Sequence, residues 1–94
     1  MNAVTRKFPF DYSGLPEHIR DGAQLYIEHG IPPGSFLKAV ICNDLSEACG
    51  RADDINRYRL YDIVSWFYNK APKSAWGSEA AYERWIADRQ LERT

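Results

Sequence analysis

The 94-residue sequence is poor in the residue types that build reactive or metal sites, with two cysteines and two histidines. His18 and His29 stand eleven positions apart in a segment that reads as one helix, roughly 16 Å along its axis. They cannot share a metal ion within one chain, and no cysteine or carboxylate spacing matches a zinc site. Both read as surface histidines. Cys42 and Cys49 stand seven apart on what reads as a single helix, so their Cα atoms fall roughly 10 Å apart, beyond disulfide reach. They read as small buried or half-buried apolar residues of a reducing compartment, and the cytoplasm is the expected location.

Long apolar runs are missing too. No stretch of about 18 apolar residues exists to span a membrane. Residues 1–10 lack the apolar centre of a signal peptide. There is no internal repeat and no low-complexity tract. Neither charge sign dominates: 12 Lys and Arg face 13 Asp and Glu, a formal net charge of −1. Such a chain has no long-range positive field to draw nucleic acid, which is not an expected partner. No glycine-rich phosphate loop occurs. Pro33-Gly34-Ser35 precedes a helix whose free amides could hold an anion, but every helix start offers that much. No nucleophile stands beside a base, so the sequence assigns no catalytic residue, cofactor or metal and does not read as an enzyme.

What the chain has is rings: four Phe, three Trp and six Tyr within a hydrophobic fraction of 45%. That composition argues for a packed core and against disorder. A chain of this length buries roughly 60–65% of its unfolded surface, so the core is thin. No segment alternates polar and apolar residues, and little or no sheet is expected.

The pattern predicts an all-α protein, a compact array of about four helices behind an extended N-terminal arm. The arm covers residues 1–14 and a single helical domain covers 15–94. Phe8-Pro9-Phe10 and Tyr12-Ser13-Gly14 favour an extended path with a turn. The arm's rings either lie across the helical core or dock on a second subunit. The first helix begins at Pro16, carries Ile19, Ala23, Tyr26 and Ile27 on one face, and stops at Gly30. The second runs over 35–49, with Ser35 as N-cap, a broad apolar face from Phe36 to Ala48, and a stop at Gly50. The third runs over 53–70, capped by Asp53 or Asp54. Leu60, Ile63, Val64 and Phe67 form its main stripe, with rings around most of the rest. The fourth starts at Ser78 and buries Ala81, Tyr82, Trp85 and Ile86.

At about 100° per residue, Asp44 falls between Val40 and Leu37, inside the apolar arc of the second helix. Asn43 sits at its edge. Asn56 falls within the arc of Leu60, Ile63 and Phe67. A carboxylate in such a place must be paired or neutralised. Arg51 and Arg57 lie close by in sequence. The expectation is a polar junction of Asn43, Asp44, Arg51, Asn56 and Arg57, which either fixes the corner between two helices or forms a ligand pocket. A second candidate group comprises Tyr58, Arg59, Trp66 and Trp76, residue types that commonly anchor interfaces: either the fourth helix or the arm covers them, or they form an open interface patch, and Trp76 alternatively staples the fourth helix down. A helix-turn-helix role is disfavoured, because the third helix is too apolar and Asp53, Asp54 and Asp62 would repel phosphates.

The stretch Pro33-Gly34-Ser35-Phe36-Leu37-Lys38-Ala39-Val40, then Asn43-Asp44-Leu45, Arg51-Ala52-Asp53 and Asn56, resembles a group of small proteins encoded by tailed phages and prophages. Tyr68-Asn69-Lys70-Ala71-Pro72, Trp76-Gly77-Ser78 and Trp85-Ile86 are similar to it as well. The likeness covers about 15–86. It implies a small phage accessory protein that acts by binding host machinery, blocking a defence or regulatory factor, or by sequestering a small nucleotide-like anion. Self-association into a homo-oligomer is a further expectation, given the rings to be covered.

Overall fold

In the computed structural model, residues 10–93 are described. Every regular element among them is helical: a 3-10 turn at Tyr12–Gly14, α1 at Glu17–His29, α2 at Ser35–Ile41, α3 at Leu45–Arg51, α4 at Asp54–Tyr58, α5 at Leu60–Lys70, a second 3-10 turn at Lys73–Ala75, and α6 at Glu79–Arg93. The all-α expectation holds, with six helices instead of about four.

The α1 helix buries Ile19, Ala23, Tyr26 and Ile27, the face given by its periodicity. Pro16 is its N-cap, one position outside the helix. Gly30, with φ of 69°, takes the left-handed conformation at the C-terminal end, and its N–H donates to the Tyr26 carbonyl at 2.9 Å. Tyr26 is fully buried and organises the centre. Its hydroxyl donates to the Ala75 carbonyl at 2.6 Å, and its ring stacks on Tyr82 of α6. Trp85 of α6 donates its indole N–H to the carbonyls of Tyr26 and Ile27, both at 3.2 Å. The α1 and α6 helices are thereby joined by hydrogen bonds as well as by burial.

The expected second helix is two helices. Asn43 takes φ of 62° and stops α2. Its N–H donates to the Val40 carbonyl at 3.0 Å, while the Asp44 N–H reaches back to Ala39 at 2.8 Å. This pair of bonds is a Schellman motif, with asparagine in the place glycine usually holds. Asp44 then starts α3 at once, its carboxylate accepting the Glu47 N–H at 3.2 Å. Ser35 is not a cap; Gly34 holds that position, with no side-chain bond. The expected third helix bends at Arg59, where φ is −102° and ψ 13°. Hydrogen bonds from Arg59 N–H to Ile55 and from Ile63 N–H to Arg59 run through the bend. Asp53 caps α4, accepting the Asn56 N–H at 2.7 Å. Ser78 caps α6 through the Ala81 N–H at 3.0 Å.

The expected arm lies outside the described residues as far as residue 9. From Phe10 onward the chain packs on the helical core, with Phe10 and Tyr12 partly buried and Leu15 fully so. Arg20 of α1 donates to the carbonyls of Leu15 and Ser13 and holds this segment in place.

Candidate functional site

The polar junction does not form. Asp44 is exposed, and as the N-cap of α3 it lies at a chain reversal, off the apolar face. The wheel that turned it inward assumed a helix running through Asn43, and the left-handed residue there breaks that phase. Asn43 is exposed as well. Arg51 pairs with Glu47 at 3.1 Å and Arg57 with Asp54 at 3.3 Å, each within its own helix. Neither forms an ion pair with Asp44. Asn56 alone meets its expectation, at 4% exposure on the inner side of α4. The cysteines are likewise on different elements: Cys42 is the half-buried C-cap of α2, and Cys49 is exposed on α3.

The second candidate surface is also rearranged. Trp66 is 4% exposed and cannot serve as an open anchor. Its ring stacks on Tyr12, with centroids 5.3 Å apart. Arg59 is half-buried, pairs with Asp62 at 2.9 Å, and reaches the Gly14 carbonyl at 3.3 Å. Tyr58 remains 90% exposed. Trp76 is half-buried, its ring meeting Phe67 and Tyr68.

In place of those groupings the fold builds recesses, of which two bear on function. The first has a volume of about 250 Å³ and lies where α2, α3 and α5 meet the chain after Ala75. Ala39, Val40, Leu45, Ala48, Val64 and Trp76 give it apolar walls, and Asn43 and Asp44 complete the lining. Leu45, on that wall, is 65% exposed. Val64 belongs to a stripe on α5 with Tyr61 and Tyr68, spaced three and seven residues along one helix face. Tyr61 and Tyr68 are both largely exposed. Tyr68 sets its ring edge-on to Trp76 at 6.5 Å, and the Lys73 ammonium lies 5.9 Å from its centroid. Exposed rings therefore lead into an apolar hollow. The sequence pattern reads Leu45 and Val64 as core and does not mark Tyr61 and Tyr68 as site residues. The spacing of 61, 64 and 68 carried that signal, but on a helix ringed by aromatics it could not be told from core.

The second recess, of about 220 Å³, lies between α1, α2 and α4, and is lined by His18, Ile19, Gly22, Gly34, Phe36, Leu37 and Asn56. His18 Nε2 stands 3.1 Å from Asp53 Oδ2 at its edge. The Asn56 N–H, followed by burial and the His18 side chain in order of effect, acts on the Asp53 carboxyl, and the net result holds it below its ordinary range. A hydroxyl or thiol nucleophile is not among the residues lining this recess. Beside Cys42, a groove of about 340 Å³ carries Lys38, Asp44, Glu47, Arg51 and Glu79 along its sides. Burial, then Glu79, pushes the Cys42 thiol up, which keeps it protonated and poorly nucleophilic near neutral pH.

No family model, no curated protein and no solved structure matches the chain. Among the described residues, no helix is long and apolar enough to cross a membrane.

Proposed function

We propose that this chain is a non-catalytic, phage-type accessory protein that binds a host protein and thereby blocks a defence or regulatory factor. One observation carries the reading: an apolar recess of about 250 Å³ is lined by exposed Leu45, Val64 and Trp76, and the exposed ring of Tyr68 stands edge-on to Trp76. Leu45, 65% exposed on the wall of an apolar hollow, adds little burial to the fold. Covered by a partner it contributes burial at roughly 25 cal/mol per Å². Tyrosine and tryptophan beside a pocket are the usual centre of a protein interface. The host target is the part of the proposal that rests on the resemblance of about 15–86 to small phage proteins read from the sequence alone.

The test compares the wild-type chain with the Leu45→Glu, Tyr68→Ala double variant as bait in host lysate. Both positions are exposed, so the variant keeps the fold. The expected result is a stoichiometric host partner held by the wild type and lost from the variant, with at least about a tenfold drop in affinity once purified. Equal capture by both baits would overturn the assignment of this surface. A second copy of the chain is the competing occupant. Sedimentation of both proteins separates that case, because a homo-oligomer dissolves in the variant without any host component.

The alternative role, sequestering a nucleotide-like anion, needs arginines that converge. Arg51 and Arg57 are each engaged by a carboxylate of their own helix. The ligand-binding reading is better served by the recess that contains Asn56.

A further inference from the structure

We propose that the recess between α1, α2 and α4 is a ligand site that takes one planar, uncharged nitrogen heterocycle, held by the side-chain amide of Asn56 against the ring of Phe36. The site shares no lining residue with the apolar recess beside Leu45.

Asn56 is the starting point. It is the polar residue buried among the described core, at 4% exposure, and its Oδ1 has no hydrogen-bond partner. Its backbone N–H is used by the Asp53 cap, so the helix start accounts for the backbone and leaves the side chain unexplained. A buried acceptor without a donor is costly, and native folds rarely keep one without a reason. Leucine at this position would fill the same space with no polar atom to satisfy.

The surroundings set the chemistry of what would satisfy it. Ile19, Phe36 and Leu37 make the recess apolar, and Gly22 and Gly34 leave room where side chains would stand. A Cβ on Gly34 would meet nothing within 4 Å. No lysine or arginine lines the recess, and Asp53 stands at its edge paired with His18, so a phosphate has nothing to neutralise it. A volume of about 220 Å³ equals the share of roughly seven waters at about 30 Å³ each. That is below the usual size of a pocket for a whole drug-sized ligand, and it suits a single ring system. A carboxamide offers an acceptor beside a donor, and its complement is a ring edge carrying N–H beside nitrogen or carbonyl, as nucleobases do.

The experiment is an amide NMR titration of the full chain with adenosine, guanosine, cytidine and uridine in turn, with adenosine monophosphate as the charged control. The expected result is saturable shifts of the Asn56 side-chain amide and of the Gly22 and Gly34 backbone signals with at least one nucleoside, and weaker binding of the monophosphate than of adenosine. The Asn56→Leu variant is expected to melt at a higher temperature than wild type and to lose the nucleoside response. Millimolar nucleosides that leave the Asn56 amide unmoved would overturn the proposal, and so would undiminished binding by Asn56→Leu. The wild-type titration decides the matter even where the variant does not fold. Neither outcome bears on capture of a host protein at Leu45 and Tyr68.

Discussion

Trp66 donates its indole N–H to the backbone carbonyl of Asp11, 2.9 Å away, across fifty-five residues of sequence. The bond ties the segment before α1 to the middle of α5. Tyr12 completes the tie by lying against the indole and donating its hydroxyl to Glu28 at 3.1 Å. Tyr12→Ala removes a half-buried ring, its stack and a charge-assisted bond. The expected loss is about 2 kcal/mol, built from a ring pair of roughly 1 kcal/mol and a similar loss of burial. Urea unfolding should show a lower midpoint at unchanged slope. Tryptophan emission should move to longer wavelength as Trp66 gains water.

Gly30 is fixed for two independent reasons. Its φ of 69° disfavours any side chain, and a Cβ there would overlap the Cβ of Arg89 on α6 and stand 3.2 Å from the Ile86 carbonyl. The left-handed penalty is roughly 1–2 kcal/mol and overpacking adds typically 1–3 kcal/mol. Gly30→Ala is therefore expected to lose about 3 kcal/mol, and Gly34→Ala, which meets nothing within 4 Å, far less. Chemical denaturation of both variants checks the contrast.

Asp44 acts as a helix cap and nothing deeper. Asp44→Ala should cost about 1 kcal/mol, the usual value of a lost N-cap, and Asp44→Asn should cost only a few tenths of that. A buried paired carboxylate would instead cost about 3–5 kcal/mol on truncation. Combining Asp44→Ala with Arg57→Ala should give an additive loss, since the two share no partner. Coupling well above about 0.5 kcal/mol in that cycle would show a connection that the structure lacks.

The helical class and the buried faces of α1 and α6 were legible because a 3.6-residue period survives wherever a helix runs unbroken. Ile19, Ala23, Tyr26 and Ile27 needed no more than that. The error at Asp44 has one cause: a glycine was expected to end α2, and an asparagine did so instead. The signal was present, since Asp44-Leu45-Ser46-Glu47 has the form of a helix start with an acid at the fourth place. A wheel drawn through Asn43 kept the α2 phase for a residue that belongs to α3. Asn56 came out correctly because the bend at Arg59 lies after it and the hydrogen bonding persists through that bend. For Trp66 the sequence left two outcomes, an open patch or cover by the arm or the last helix, and the structure shows cover by the arm segment. The periodicity of α5 says which residues share a face, but only tertiary structure says that Tyr12 comes back to cover that face.

Asp53 gives the fold a sensitivity to acid. Its carboxyl is held below the ordinary range, chiefly by the Asn56 N–H that it caps and then, against the opposing effect of burial, by His18. A group whose folded value is lowered contributes stability that is fully present above its unfolded value, about 3.9, and is lost as the pH falls through the lower folded value. The chain should therefore keep this contribution at neutral pH and lose it below about pH 4. Asn caps a helix about as well as Asp but does not titrate. Asp53→Asn should consequently match the wild type closely at neutral pH and fall less steeply with acid, so that the two melting temperatures separate as the pH drops, the wild type becoming the less stable. The measurement is the melting temperature of both proteins across that range. Parallel curves for the two proteins would mean that the carboxyl is no better held in the fold than in the unfolded chain, and the link from Asp53 to α4 would carry no pH dependence.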